Sequence, residues 1–525
     1  MGVEKEFCLE EYMSRMLKQD DGPGREMERF HQVCQIVEME FDKEWNETDD
    51  AAKNRKLEKE KLAIMGAEAE TSFYKEKIKE ILLDKKLSEA WYPPWYPNLF
   101  EGVFAELYGL AGLAPWAYDM EEKYRESSSA KLIGDRLYCL IDGRAQLQPQ
   151  RIGRRRREQL KRTLLLATPY ERLEYGFHEV YLHNGIRITI YSGDRTKDDQ
   201  DIMVFRRYVL QDLAFEQLAD KGTIPREAIP LFRKMIGIGF NVLFTGQVRS
   251  GKTTFLQVWQ RYENPELEGL AIATDPETPW HRIMPQAPIM QLVADGEKLA
   301  SVTKSLLRGD NDYILLEEMR DAAAFRLALD ITSAGTARSK ATIHDSDGVN
   351  VPYKMASKIR EAYGGDSRAV IAQVYRNFDY AIEMAQLPED KSRKVMKGIV
   401  EYEYDSSGDR VIARRICRYD FLTGQWLWNE EGGLTKAEKY PEQRAAILEM
   451  RALLEELSRK HRLREGRVVY PAYYDGGRGF CNGHGDYGVS GGCDSHEGCG
   501  SHGSHGDYDS SGDDGSACGG RRQGR

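Results

Sequence analysis

Two hydrophobic rhythms divide the chain. From Ile224 onward, short β-prone apolar runs (NVLFTG, LAIAT, YILLEE and KATIH) alternate with helix-like stretches. That alternation predicts a mainly parallel, doubly wound α/β domain with ligands outside the carboxyl ends of its strands. Before Ile224 the pattern is different. Residues 1–90 are rich in Glu, Lys, Met and Leu, and KLEKEKLAIMGAEAETSFYKEKIKEILLDKKL reads as amphipathic or charged helix, a solvated arm or a docking surface for a partner. Pro93, Pro94 and Pro97 end this helical region because proline cannot continue a helix. NLFEGVFAELYGLAGLAPW then reads as a short helix. KLIGDRLYCLIDGRAQL alternates apolar and polar residues around Asp142-Gly143, a hairpin signal. Strands are expected again in Glu179–Ile190 and Asp201–Tyr208, closing a small α+β domain near Lys221.

Toward the other end, EYEYDSSGDRVIARRICRYD reads as a hairpin with a Ser-Ser-Gly-Asp turn, and Thr435–Arg464 as a terminal helix. Beyond about residue 466 the composition collapses to Gly, Ser, Asp, His and Cys. So few apolar residues do not offset the entropy of ordering, so disorder is expected there. The predicted organisation is a helical extension (1–90), an α+β domain (91–221), a larger α/β domain (222–430), a C-terminal helix (431–465) and a tail (466–525).

Composition narrows the class. A chain of 525 residues, 41% of them apolar, suits two or three domains with sizeable cores. The net charge of −10 argues against a body built to coat nucleic acid. No apolar run approaches the ~18 residues of a membrane span, and MGVEKEFCLEEY lacks a secretory pattern. Cys8, Cys34, Cys139 and Cys417 are scattered, as reduced cytosolic thiols are. The tail residues Cys481, His484, Cys493, His496, Cys499, His502, His505 and Cys518 match no zinc-module spacing. RIGRRRREQLKR, residues 151–162, concentrates positive charge, either as a solvated helix face or as a contact for phosphates or anionic lipid.

The candidate chemistry centres on NVLFTGQVRSGKTTFLQVWQ, residues 241–260. It has the strand–turn–helix order and the G-x-x-x-x-G-K-[ST] spacing of a phosphate loop. Gly246 and Gly251 permit close approach, and the amides of Gln247, Val248, Arg249, Ser250, Gly251, Lys252 and Thr253 can converge on phosphate oxygens at the positive end of the next helix, with Thr254 following. Lys252 is placed to reach the β- and γ-phosphates of ATP and the Thr253 hydroxyl to ligate Mg²⁺. Downstream, the apolar run 313–316 ends in Glu317 and Glu318. Such a strand is expected beside the loop strand, with its acids organising Mg²⁺ and the attacking water. GTARSKATIH ends a further strand at His344.

The order GQVRSGKTT, ILLEEMRD, GTARSKATIH resembles the ATPases of type II and type IV secretion and pilus assembly, and most of all the branch serving tight-adherence pili. The resemblance covers about residues 98–428. It places Glu318 on the catalytic glutamate of the Walker B segment, with Arg320 two residues on, and Ser339 to His344 on the His box. Arg308 and Asp312 fall on the approach to Walker B, and Asp275 on the acidic Asp box. ELYGLAGLAPW, IDGR and VFRRY, which contains Arg206, are similar to segments of the family's N-terminal domain. The implied architecture is a P-loop, RecA-like motor domain preceded by a smaller α+β domain and a helical arm. The implied activity is ATP hydrolysis with Mg²⁺, in a homo-oligomeric, hexameric ring that drives a membrane platform protein. The implied place is the cytoplasm, peripheral to the membrane, with no nucleic acid as partner.

On this resemblance Lys252, Glu318, His344 and Arg308 are the catalytic candidates. Arg206 joins the loop in holding nucleotide, and Thr253, Asp275 and Glu317 are candidates for the metal. The sequence departs from the family at Thr274 and Glu277 in the Asp box, at Glu317 and Asp321 around Walker B, at Asp310 and Asn311 before it, and at Arg249, where the loop's inner glycine is expected. Two alternatives stay open from sequence: a nucleic-acid-translocating P-loop ATPase, and a scaffold that binds nucleotide without hydrolysing it.

Overall fold

The first sheet is built from local hairpins. In the computed structural model, which describes residues 23–44, 50–167, 177–191, 196–197, 200–209, 213–273, 278–293, 311–464 and 467–471, strands β1 (Ser129–Ile133), β2 (Arg136–Ile141), β3 (Arg144–Arg151), β4 (Phe177–Tyr181), β5 (Arg187–Tyr191) and β6 (Ile202–Arg206) form an antiparallel sheet in the order β3-β2-β1-β6-β5-β4. Ile141 pairs with Arg144, leaving Asp142 (φ 49°) and Gly143 (φ 71°) as the two-residue left-handed turn that the sequence signal requires.

The N-terminal helices do not behave as a solvated arm. α1 (Pro23–Glu44), α2 (Asp50–Met65), α3 (Glu68–Asp84) and α4 (Leu99–Tyr108) share one core with the first sheet. Phe30, Val37, Ile78 and Val103 pack in the same cluster as Leu132, Ile188 and Met203. On α3 the buried residues Tyr74, Ile78, Ile81 and Leu82 form one stripe at helical spacing. Gly66 (φ 87°) breaks the single helix expected here into α2 and α3. The basic segment becomes α5 (Arg154–Ala167), with Arg154 and Arg155 exposed and Arg157 turned inward. Arg154 pairs with Glu158, Arg155 with Glu38, and Arg157 and Lys161 with Asp201. Arg156 donates to the Gly109 carbonyl at 2.6 Å.

The second sheet carries the loop. Its order is β15-β14-β13-β12-β7-β11-β10-β8-β9, with β16 (Arg467–Pro471) also paired to β14. The strands are β7 (Val242–Gly246), β8 (Gly269–Ala273), β9 (Ile289–Val293), β10 (Tyr313–Met319), β11 (Lys340–His344), β12 (Tyr380–Gln386), β13 (Lys394–Asp405), β14 (Arg410–Asp420) and β15 (Gln425–Trp428). From β9 to β12 all pairings are parallel, whereas β13 to β16 are antiparallel. The sheet is therefore mixed, with the loop strand inside its larger, parallel part. β7 and β10 are not neighbours, contrary to expectation, because β11 lies between them. The consequence is that the carboxyl ends of β7, β11 and β10 line up in succession along one edge.

Side chains alternate across β7: Val242 and Phe244 enter one core and Leu243 the other. Helices α6 (Ile229–Ile238) and α7 (Lys252–Arg261) cover the first face. α8 (Ala322–Ser333), α9 (Val351–Tyr363) and α10 (Ser367–Asn377) cover the second. The predicted C-terminal helix is two pieces, Lys436–Lys439 and α11 (Arg444–Lys460), because Pro441 opens a 3-10 turn between them. Asp379, fully buried at the foot of β12, ties this region down. It accepts from Lys436 (3.0 Å), Lys439 (2.7 Å), the Tyr440 hydroxyl (2.8 Å) and the Asn241 amide (3.0 Å).

The two sheets meet where the Asp142-Gly143 turn lies against the Lys391–Ser392 backbone. The described residues all fall within one compact unit. Among them no helix is long and apolar enough to cross a membrane, and Cys34, Cys139 and Cys417 are buried unpaired thiols. Cys8 and the cysteine- and histidine-bearing tail lie outside the described residues.

Candidate active site

β7 runs into the loop at Gly246, whose φ of 153° suits glycine. A β-carbon there would overlap the Met384 carbonyl oxygen and the Ser250 hydroxyl. At the far end Gly251 (φ 90°) is the N-cap of α7 and offers no side chain to its amides, which leaves the first-turn N–H groups open to a ligand. Ser250 is buried, yet its hydroxyl has no hydrogen-bond partner among the described residues. Lys252 is also buried. Its Nζ donates to the Gln247 carbonyl at 2.8 Å and lies 3.3 Å from His344 Nδ1. Burial pulls the Lys252 pKa down to about 8, against the opposing pull of the Glu318 charge. Thr253 and Thr254 stand half-buried in the first turn of α7, while Gln247, Val248 and Arg249 are exposed. Open amides, an orphan hydroxyl, a cradle with no room for a β-carbon and a desolvated lysine together fit a polyanion and the metal that accompanies it.

Glu318 is presented by an irregularity. The β10–β11 register shifts between Leu316 and Met319, and Glu318 itself has left-handed backbone, φ 56°. A bulge of this kind turns a side chain out of the pleat. The Glu318 amide donates to the Thr342 hydroxyl of β11 at 2.6 Å, which holds the bulge in place. Its carboxylate pairs with Arg320, and its Oε1 lies 3.6 Å from His344 Nε2. Burial raises the Glu318 pKa, but the His344 contact and the charges of Arg320 and Arg206 outweigh it, leaving the value below the usual carboxylate range. His344 thus stands between Lys252 and Glu318. With the lysine ammonium as donor, Nδ1 accepts and Nε2 carries the proton that faces the carboxylate.

Glu317 points elsewhere. Its Oε1 accepts from Trp280 Nε1 at 2.7 Å and its Oε2 from the Thr278 hydroxyl at 2.9 Å. Thr278 in turn accepts from Gln257 of α7 at 3.0 Å, and Gln257 accepts from the Tyr208 hydroxyl. These bonds anchor Glu317 beside the loop helix, away from the Glu318 carboxylate that the bulge turns out of the pleat.

Arg206 ends β6 in the first sheet, and its charge acts on both Glu318 and Arg249. Asp275 and Arg308 lie outside the described residues. Sequence reasoning missed Lys394, whose stem lies against Gly251. It also missed the unpartnered Ser250 hydroxyl. Neither carries a signal in a single sequence, since one depends on a contact across more than a hundred residues and the other on burial.

Comparison with known proteins adds an independent line. A sequence profile described as "Type II/IV secretion system protein" matches residues 201–465. An uncharacterized protein of Bacillus anthracis is 20% identical over 258 residues, which is 46% of this chain and 57% of that protein. The type IV secretion system protein VirB11 of Bartonella quintana is 34% identical over 132 residues, 24% of this chain and 36% of that protein. The chain thus spans less than two thirds of the length of these relatives. Among solved structures, the Legionella pneumophila ATPase DotB covers 65% of this chain with 88% of its own, at 16% identity and a TM-score of 0.41. The VirB11 ATPase from the Brucella suis type IV secretion system covers 55% with 92% of its own, at 14% identity and a TM-score of 0.29.

Proposed function

The chain belongs to the family of type II/IV secretion system proteins, and from that premise we propose that it hydrolyses ATP at the 246–254 loop and converts the released free energy into movement of its first sheet against its second. The observation that carries this reading is the convergence of Lys252, from the first turn of α7, with His344 and Glu318, from the ends of β11 and β10. The loop amides and Lys252 would hold the β- and γ-phosphates, and the ionised Glu318 would orient a water for attack on the γ-phosphorus. The new P–O bond forms from water as the bond to the β-phosphate oxygen breaks, with its electron pair leaving on ADP. The Thr253 hydroxyl, with Asp275 by resemblance, would hold Mg²⁺, which supplies charge neutralisation on the phosphates. His344, in reach of both Lys252 and Glu318, would sense whether a γ-phosphate is present. Arg206 and, by resemblance, Arg308 would add positive charge where the transition state develops it.

The motif resemblance also supports a RecA-like P-loop motor at 222–430 behind an α+β domain at 91–221. The same resemblance is the basis for a hexameric ring, a membrane platform protein as partner, a cytoplasmic position at the membrane and the tight-adherence branch. The in-chain pairing of Arg157 and Lys161 with Asp201 supports the absence of a nucleic-acid track along this helix. The test is phosphate release by the purified chain with Mg-ATP. Lys252→Ala should abolish it while the protein melts as a folded chain, and a Lys252→Ala variant hydrolysing like the parent would remove the assignment.

A further inference from the structure

Arg249 sits where no carboxylate among the described residues answers it. It occupies the middle of the loop in left-handed backbone (φ 64°), where glycine is at ease and an L side chain is disfavoured. Among the described residues its guanidinium has no carboxylate partner. Its charged neighbours carry the same sign: Arg206 at the end of β6 and Lys394 at the start of β13. Partial burial and the Arg206 charge pull the Arg249 pKa down, and Arg249 adds to the forces lowering Lys394.

Lys394 is held where it stands. A β-carbon on Gly251 would come within 3.2 Å of its Cγ, and its ammonium donates to the carbonyls of Lys391 (2.6 Å) and Ser392 (2.8 Å). Arg206 and Lys394, from two separate elements, therefore bring positive charge to a loop that already carries Arg249 and whose Ser250 hydroxyl has no partner among the described residues. Glu318 and Asp390 partly offset the charges of Arg206 and Lys394, whereas no carboxylate among the described residues answers Arg249, and a local rule broken without such an answer marks a place where a ligand supplies it. The compensating ligand must bear several negative charges. Arg249 belongs to the same turn as Gln247, whose carbonyl accepts from Lys252, and Lys252 leads through His344 to Glu318, so the loop that carries Arg249 borders the place where the terminal phosphate of a nucleotide would react.

We propose that the Arg249 side chain reads the terminal phosphate of a bound nucleoside triphosphate, together with Arg206, so that this site tells triphosphate from diphosphate through a residue of the loop itself. The inference rests on the nucleotide site proposed above, and goes beyond the backbone role that the loop spacing assigns to this position. A guanidinium presents two parallel donors that match a phosphate edge. Loop amides and Lys252 serve both nucleotides, whereas Arg249 gains its partner only when the third phosphate is there.

The experiment compares the full chain with Arg249→Gly and Arg249→Lys, measuring affinity for a nonhydrolysable ATP analogue and for ADP, each with Mg²⁺, and steady-state ATP turnover. Glycine is at home at this φ, so Arg249→Gly keeps the loop, and equal melting temperatures will confirm it. Arg249→Gly should weaken the analogue about 10-fold or more, change ADP affinity less than about 3-fold and cut kcat by about 100-fold. Arg249→Lys should fall between, keeping charge but losing the fork. Equal weakening of both nucleotides, no change in either, or faster turnover in Arg249→Gly would overturn the proposal. If the parent binds neither nucleotide, the site assignment fails and this inference with it, an outcome distinct from the other three.

Discussion

Lys252 should make nucleotide affinity fall with rising pH in a window set by its burial. Its pKa of about 8 means the ammonium is already half deprotonated near pH 8 in the free protein. The groups facing it are His344 on β11 and Glu318 on β10. A bound polyphosphate selects the charged form, so affinity is complete below the free-state pKa and declines about tenfold per pH unit above it. Between about pH 7.5 and about pH 9.5, Kd should weaken roughly 20-fold, following the neutral fraction of the lysine. The assay is equilibrium binding of a nonhydrolysable ATP analogue at constant ionic strength. Lys252→Arg supplies the control, because a guanidinium stays charged throughout and the slope should vanish even if affinity is lower. Folding responds with the opposite sign. Because the folded-state value is depressed from 10.5 to about 8, the charged lysine opposes folding by about 3 kcal/mol at pH below 8. That penalty fades as pH rises through 8 toward 10.5. A binding curve flat across the window for the parent would refute the reasoning.

Three further outcomes are expected. Asp379→Ala leaves Lys436 and Lys439 beside an emptied buried site and should destabilise the chain by about 3–5 kcal/mol in denaturant melts. A loss under about 1 kcal/mol would show that the Asp379 cluster does not hold the C-terminal segment. Gly246→Ala places a β-carbon against the Met384 carbonyl and the Ser250 hydroxyl, so nucleotide affinity should drop at least about tenfold, with stability lowered by about 1–3 kcal/mol; calorimetric titration and thermal melting read both. Glu317→Gln keeps the shape of the Thr278 and Trp280 contacts, so the Mg²⁺ dependence of turnover should shift less than about 3-fold, whereas loss of a metal ligand would shift it by about tenfold or more.

Much of the site was legible because phosphate loops announce themselves locally. Gly246, Gly251 and Lys252 sit at fixed spacing between a strand and a helix, and the structure returns that strand as β7 and that helix as α7. The hairpins at Asp142-Gly143 and Ser406–Asp409 were equally local, since their turn residues carry the left-handed backbone themselves. What escaped was long-range. The insertion of β11 between β7 and β10 is a choice of sheet order, which periodicity does not encode. The burial of Tyr74 and Ile78 against the first sheet depends on a partner surface elsewhere in the chain. The separation of Glu317 from Glu318 follows from a bulge that only the Thr342 contact reveals. Lys394 reaches the loop by tertiary packing alone.

The most direct test of the account is the turnover of Glu318→Gln beside the parent at saturating Mg-ATP. The substitution keeps the size and the Thr342 contact of the backbone but removes the charge that would orient water. The account predicts that the variant binds the ATP analogue within about 3-fold of the parent and releases phosphate at least about 100-fold more slowly. Phosphate release at the parent's rate by Glu318→Gln would contradict it.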